Sequence, residues 1–221
     1  MNTPVPAPLF AAIRRDLKPV RPLASPERRA LGLLPLAIVL LVGLPVFWSS
    51  RHHSVLAPWP AMLLSSLETV LSLVILAAAF REAVPGRELP GRALALLVGA
   101  AAVAFVIVNA TTLSPVGIAP ENWLRWLREC VTEAITFSMP ALVAPAWLVA
   151  RALPTRPALT GALCGLGIGV MADAGMRVLC WDGDYVHVLV AHGGAIAILT
   201  ALGAASAALV ERVKAWLRLR A

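Results

Sequence analysis

Charged side chains are scarce in this chain. Asp, Glu, Lys and Arg make up 14% of its 221 residues, against about 25% in an ordinary soluble domain. Cysteine is nearly absent too: Cys130, Cys164 and Cys180 form no CxxC and no zinc-finger spacing, which removes the usual dithiol redox motif. There is no glycine-rich nucleotide loop, HExxH or GxSxG, so the common signatures of phosphate binding, metalloprotease and serine hydrolase chemistry are missing. Nor is there an internal repeat of the kind found in many secondary transporters. What fills the chain instead is apolar: 59% of residues are hydrophobic and the mean hydropathy is +0.81. A domain of this size has too little interior to hide that surface from water, so its solvent is lipid.

A helix crosses the hydrocarbon core in about 20 apolar residues. Six runs qualify: Leu31–Trp48, Ala61–Phe80, Ala93–Leu113, Val131–Ala150, Ala158–Val178 and Val186–Val210. Helix is the required form, because lipid offers no partner for open backbone groups. The first run has no A-x-A site behind it and reads as a retained anchor. With both termini in the cytoplasm, 15 of the 19 Lys and Arg residues fall inside and four (Arg51, Arg125, Arg128, Arg177) outside, the asymmetry that sets orientation. The net charge of +7 is thereby a topology signal, and direct nucleic-acid binding is not expected. Trp48, Trp59, Trp123, Trp126, Trp147, Trp181 and Trp216 fall near the proposed span ends, where an indole keeps its ring apolar and its N–H wet. The expected fold class is an all-α integral membrane protein. It comprises a cytoplasmic tail, residues 1–30, and a six-transmembrane-helix bundle, residues 31–221.

Within the bundle, Gly161, Gly165 and Gly169 give the fifth run a flat face for close helix approach, with the sixth run (Gly193, Gly194) as the expected partner. Pro35, Pro45, Pro140 and Pro145 are expected to kink their helices. The polar groups gather on the outer side. Cys130 opens the fourth span and Cys180 closes the fifth; His52 and His53 lie in the first outer loop, His187 at the outer entry to the sixth span and His192 about a turn deeper, with Glu68, Glu133, Asp173 and Arg177 in the outer halves of spans. Charges there are costly, so they pair or serve function, and Asp173 with Arg177 has the i,i+4 spacing of a helix-face pair. Helices joined by a short loop are neighbours, so Cys130 and Cys180 can meet. Three readings stay open: a disulfide, a soft metal ion at the outer face held with help from His187 or Glu133, or two unconnected cysteines. Cys164, between glycines, reads as a small buried hydrophobe.

The tail has its own pattern. Leu9, Ile13 and Leu17, with Phe10 beside them, form one apolar stripe on a helix of about three turns, and Arg14 and Arg15 take the other face. Pro8 suits the helix start, Lys18–Pro19 stops it, and Arg21 and Pro22 extend the spacer until Ser25–Pro–Glu restarts structure. Such a helix either lies on anionic lipid or docks in a partner's groove.

Taken together, the chain resembles the NrsF-like negative regulators of sigma factor. The resemblance rests on LKPVRPL before the first span, RECVTE (Arg128–Glu133) opening the fourth, LPTRPALTGALCGLGIG (Leu153–Gly169) across an inner loop, and VLCWD (Val178–Asp182) closing the fifth. It implies an anti-sigma factor of a bacterial inner membrane with no enzyme activity and no cofactor, whose partner is an extracytoplasmic-function sigma factor. The binding residues are then Leu9, Phe10, Ile13, Arg14, Arg15, Leu17, Lys18, Pro19 and Arg21. Cys130 and Cys180 would sense metal or oxidative stress, with His187 as a further metal ligand. Cys164 matches no position of that pattern. The alternatives are a small transporter or metal exporter, to which the inner span halves offer few polar groups, and a thiol oxidoreductase, for which a second exchanging pair is lacking.

Overall fold

In a computed structural model, the structure describes residues 6–16, 22–43, 45–46, 59–112, 123–180 and 185–220, all of them in helices, turns or connecting segments with no strand. Helix α1 (Ala7–Asp16) lies where the apolar stripe predicts it. Helix α2 (Pro26–Leu31) starts as its sequence dictates: the Ser25 hydroxyl accepts from the Arg28 N–H at 3.3 Å, Pro26 opens the first turn and Glu27 follows, which satisfies one orphan donor and places an anion at the positive helix end. After a turn at Gly32–Leu33 comes α3 (Leu34–Ile38), continued by a π-helical turn, Val39–Gly43.

The long helices are α4 (Trp59–Glu82), α5 (Gly91–Thr112), α6 (Trp123–Ala150), α7 (Pro157–Leu179) and α8 (Gly194–Arg218), the last entered through Tyr185–His187 and a π-helical turn, Val188–Gly193. Among the described residues, five helices are long and apolar enough to cross a membrane, where the sequence predicts six. The described part of the first run is divided instead. Pro35, with no N–H to give, stands at the start of α3 and not inside a longer helix, as its chemistry favours; Trp48 lies outside the described residues. Pro140 and Pro145 do sit inside α6. The ends also differ from expectation, since α6 begins at Trp123 and α8 runs on to Arg218.

Polarity is inverted relative to a soluble bundle. On α4, Ser65, Glu68 and Ser72 are buried while Leu67, Val70 and Val74 are exposed, the arrangement expected when the outside is hydrocarbon. Helix α7 is the axis: 83% of its apolar span is buried, against 17% for α5, and it packs on α4, α6 and α8.

Glycine allows the closest of these contacts. A Cβ at Gly161 would meet the Gly203 carbonyl oxygen of α8 at 2.1 Å, and one at Gly165 would meet the Leu199 carbonyl oxygen at 2.1 Å. The expected pairing of these two helices is present, but it runs through Gly203 and Leu199; Gly193 instead faces the Phe105 ring. Gly165→Ala should therefore lower stability by about 1–3 kcal/mol, the usual cost of overpacking. Gly99→Ala, at a site where an added Cβ meets nothing, is the control. Thermal unfolding in detergent should show a lower midpoint for the first and not for the second; equal midpoints would contradict the close contact.

Candidate functional site: a thiol–imidazole cluster over a buried ion network

The chain order brings two helix ends together. Cys130 stands about two turns into α6, and Cys180 is the residue that ends α7, its N–H donating to the Met176 carbonyl. Their sulfurs lie 3.8 Å apart, nearly twice the 2.05 Å of a disulfide bond, taken as a rough standard. His187, fully buried, brings Nε2 to 3.6 Å from the Cys180 sulfur. The donor atoms of Cys130, Cys180 and His187 all fall within 4.8 Å of one another. Glu133, the other helper offered by the sequence, is not in that group. The neighbouring Cys130 thiol, and then the His187 ring, hold the Cys180 thiol well below the usual range. Stabilisation of the thiolate makes it both nucleophile and metal ligand.

Beneath the thiols lies a network of buried charge. Arg177 donates through Nε and Nη2 to one oxygen of Asp173, at 2.9 and 2.8 Å, and through Nη1 to Asn109 of α5 at 2.8 Å. Its Nε is also 3.3 Å from a carboxylate oxygen of Glu68 on α4. The guanidinium sits 5.4 Å from the centre of the Phe105 ring. The second Asp173 oxygen lies 2.6 Å from Nδ1 of His192, whose ring meets that of His187 edge-on at 5.9 Å between centroids. The i,i+4 pair read from sequence is thus one link in a chain that joins α4, α5, α7 and the entry to α8. Removing one member would strand a buried charge, a loss of about 3–5 kcal/mol.

The opposite end of the bundle holds the tail. Arg29 of α2 is buried and donates to the Phe80 carbonyl of α4 at 3.4 Å and to the Leu148 carbonyl of α6, with its guanidinium 4.6 Å from the Phe80 ring centre. Both carbonyls belong to last helical turns, where intrahelical partners run out and a cation is favoured. Nearby, buried Glu82 accepts from Arg156 at 2.6 Å and from the Leu89 N–H. Arg151 and Arg220 stack on Trp147 and Trp216, at 4.8 and 3.7 Å from the ring centres.

Of the tail residues singled out in the sequence, Leu9, Phe10, Ile13, Arg14 and Arg15 lie on α1. Leu9 and Phe10 are each 53% exposed, and Arg14 lies 5.7 Å from the Phe10 ring centre. Leu17, Lys18, Pro19 and Arg21 lie outside the described residues, as do His52 and His53. Cys164 is buried in α7. Sequence reasoning missed Arg29, Glu82 and Asn109 as partners. A signal for Arg29 was present: Pro26, Arg29, Ala30 and Leu33 follow one helical face, and all four are buried.

Fold and site define a multi-pass helical protein of apolar exterior, with a thiol–imidazole cluster at one end and a cation-clamped tail at the other. The chain belongs to the NrsF family, described as negative regulator of sigma F, which matches residues 14–216. It is therefore a member of a family of regulators, and a sigma factor is the partner that the family description names. No curated protein matches the chain in a search of such proteins. No solved structure matches it either.

Proposed function

We propose that this chain is an anti-sigma factor of the bacterial inner membrane, with six membrane-spanning segments and both termini in the cytoplasm. Residues 1–30 hold an extracytoplasmic-function sigma factor, and a reaction at Cys130 and Cys180 on the outer face releases it. The signal is a soft metal ion or a thiol oxidant. Family membership supports the regulatory role. The observation that carries the sensing role is the meeting of Cys130, Cys180 and His187 at the bundle end opposite to Arg29. The excess of Lys and Arg at the tail end supports the orientation.

The path from signal to partner follows from which helices carry the groups. Cys130 lies near one end of α6; the Leu148 carbonyl, held by Arg29, lies at the other. Cys180 ends α7; Arg156, paired with Glu82, precedes its first turn. A change in how the two thiols meet shifts α6 against α7, and close glycine contacts leave little slack to absorb it. Arg29 passes that shift to α2, at the base of the tail. Arg29→Ala should leave the tail's hold on the sigma factor intact, yet reduce signal-driven induction of a sigma-dependent reporter about threefold or more, since hydrogen bonds from a charged group contribute roughly 1.5–3 kcal/mol. An unchanged induction ratio would remove Arg29 from the path.

A further inference from the structure

We propose that His192 is the fourth ligand of a thiophilic metal ion held by Cys130, Cys180 and His187, with Asp173 orienting its ring. The proposal rests on the reading of the cysteine pair as a metal-sensing site and specifies what that site contains.

The spacing of the donors is the first argument. For an ion bound tetrahedrally with metal–sulfur bonds of about 2.3 Å and metal–nitrogen bonds of about 2.0 Å, the sulfur–sulfur edge is about 3.8 Å and the sulfur–nitrogen edge about 3.5 Å. The sulfurs of Cys130 and Cys180 stand 3.8 Å apart, and Cys180 stands 3.6 Å from His187 Nε2. These two distances match edges of such a tetrahedron, the third pair, Cys130 and His187, lies within 4.8 Å, and three donors leave one vertex to fill. His192 stands outside that group of three, so its ring closes onto the ion as the ion binds.

His192 has the chemistry for that vertex. Its Nδ1 is committed to Asp173 at 2.6 Å, whereas its buried Nε2 makes no hydrogen bond of good geometry, and the ring interacts with the Cys180 thiol. The residue is 4% exposed, so water does not compensate. With Cys130 and Asp173 it lines the small cavity between α6, α7 and the entry to α8, and its ring touches that of His187 edge-on. A histidine that gives Nδ1–H to a carboxylate and turns Nε2 outward is the usual arrangement for a metal-bound imidazole, because the carboxylate fixes the tautomer and strengthens the donor. Arg177 holds the far oxygen of Asp173 and is itself held by Asn109 and Glu68, so the carboxylate cannot turn away.

Two thiolates and two imidazoles suit closed-shell thiophilic ions: Zn²⁺, Cd²⁺ or Cu⁺. No redox step is needed. On binding, each thiol loses its proton to solvent as its sulfur bonds to the metal, and any proton on His192 Nε2 leaves in the same way. The entry to α8 is thereby drawn onto the ends of α6 and α7.

The test uses the full chain, purified reduced in detergent, with Co²⁺ as the optical probe and Zn²⁺ for competition and X-ray absorption. The expected wild-type result is a four-coordinate visible spectrum with sulfur charge transfer, and two sulfur and two imidazole scatterers around zinc. His192→Ala should lower affinity at least tenfold and alter the visible bands while keeping sulfur charge transfer. Asp173→Asn should weaken binding by roughly 10–100-fold, the range for loss of an orienting carboxylate. A single imidazole around zinc in the wild-type chain overturns the proposal whatever the variants do. So does a His192→Ala variant with unchanged affinity and spectrum, and either result leaves the cysteine site standing. Unaltered Co²⁺ binding by the Cys130→Ser, Cys180→Ser variant would instead remove the underlying metal site.

Discussion

A Cys130→Ser, Cys180→Ser variant should hold its sigma factor through a metal challenge that releases most of it from the unaltered chain. The size of the effect follows from linkage. An ion present at about 1,000 times the dissociation constant of the state it prefers stabilises that state by about 4 kcal/mol. Applied to a chain resting near 1% released, that factor of about 1,000 moves the population to roughly 90% released, close to the full two-state excursion that needs about 5.5 kcal/mol. Serine keeps the size of the side chain but supplies a hydroxyl that does not ionise at neutral pH, so neither thiolate ligation nor disulfide formation remains. Reporter transcription from the sigma-dependent promoter is the measurement, and induction should fall to the uninduced level. Cys164→Ala is the internal control: Cys164 is buried in α7 away from the cluster, and its response should be retained. A double serine variant with normal induction would end the sensing account.

The second large effect belongs to the other end. Leu9→Asp with Phe10→Asp should release the sigma factor without any signal. Leu9 and Phe10 present the apolar stripe of α1 to the surroundings, each 53% exposed. Anchors of that kind that fill a partner's groove contribute about 2 kcal/mol or more each, roughly 30-fold in affinity, and a carboxylate in the groove adds a desolvation cost. Co-purification of the sigma factor with the full chain should be lost, and transcription should be constitutively high. If the variant loses affinity for anionic vesicles but keeps the sigma factor, the stripe serves the membrane surface instead. Arg14→Ala with Arg15→Ala should weaken the complex less, and more so at low salt, because exposed charge is screened within about 10 Å at 0.1 M ionic strength.

Much of the membrane architecture was legible because lipid imposes it. Long apolar runs, cations at one level and tryptophans near the ends are direct consequences of the solvent, and α4 to α8 lie where those runs predict. The glycine face of α7 was legible for the same reason, since Gly161 and Gly165 have spacing and no side chain. Its partner was not: Gly203 carries no local mark distinguishing it from Gly193, and only the packed crossing of α7 and α8 selects it. The first run was harder because Gly32 and Pro35 interrupt it while its hydropathy stays continuous.

At the site, topology allowed Cys130 and Cys180 to meet without requiring it, and the Asp173–Arg177 link followed from i,i+4 spacing. Asn109 and Glu68 converge on Arg177 across gaps of 68 and 109 positions, and no local pattern encodes such a meeting. Arg29 was read as an orientation charge because it stands among other cations. Its distinguishing property is that it shares a buried helical face with Pro26, Ala30 and Leu33, which becomes meaningful once carbonyls of α4 and α6 are found above it.

The central claim is that events at the thiols decide whether the tail keeps its partner. It is tested most directly with the full chain in sealed proteoliposomes, cysteines facing one side and tail the other, loaded with the sigma factor on the tail side. The added metal salt stays on the cysteine side. The account predicts that sigma factor dissociates on addition of Zn²⁺ or Cd²⁺, that a chelator on the same side restores binding, and that the Cys130→Ser, Cys180→Ser chain stays loaded throughout. A sigma factor that remains bound to the unaltered chain when its thiols have taken up metal would contradict it.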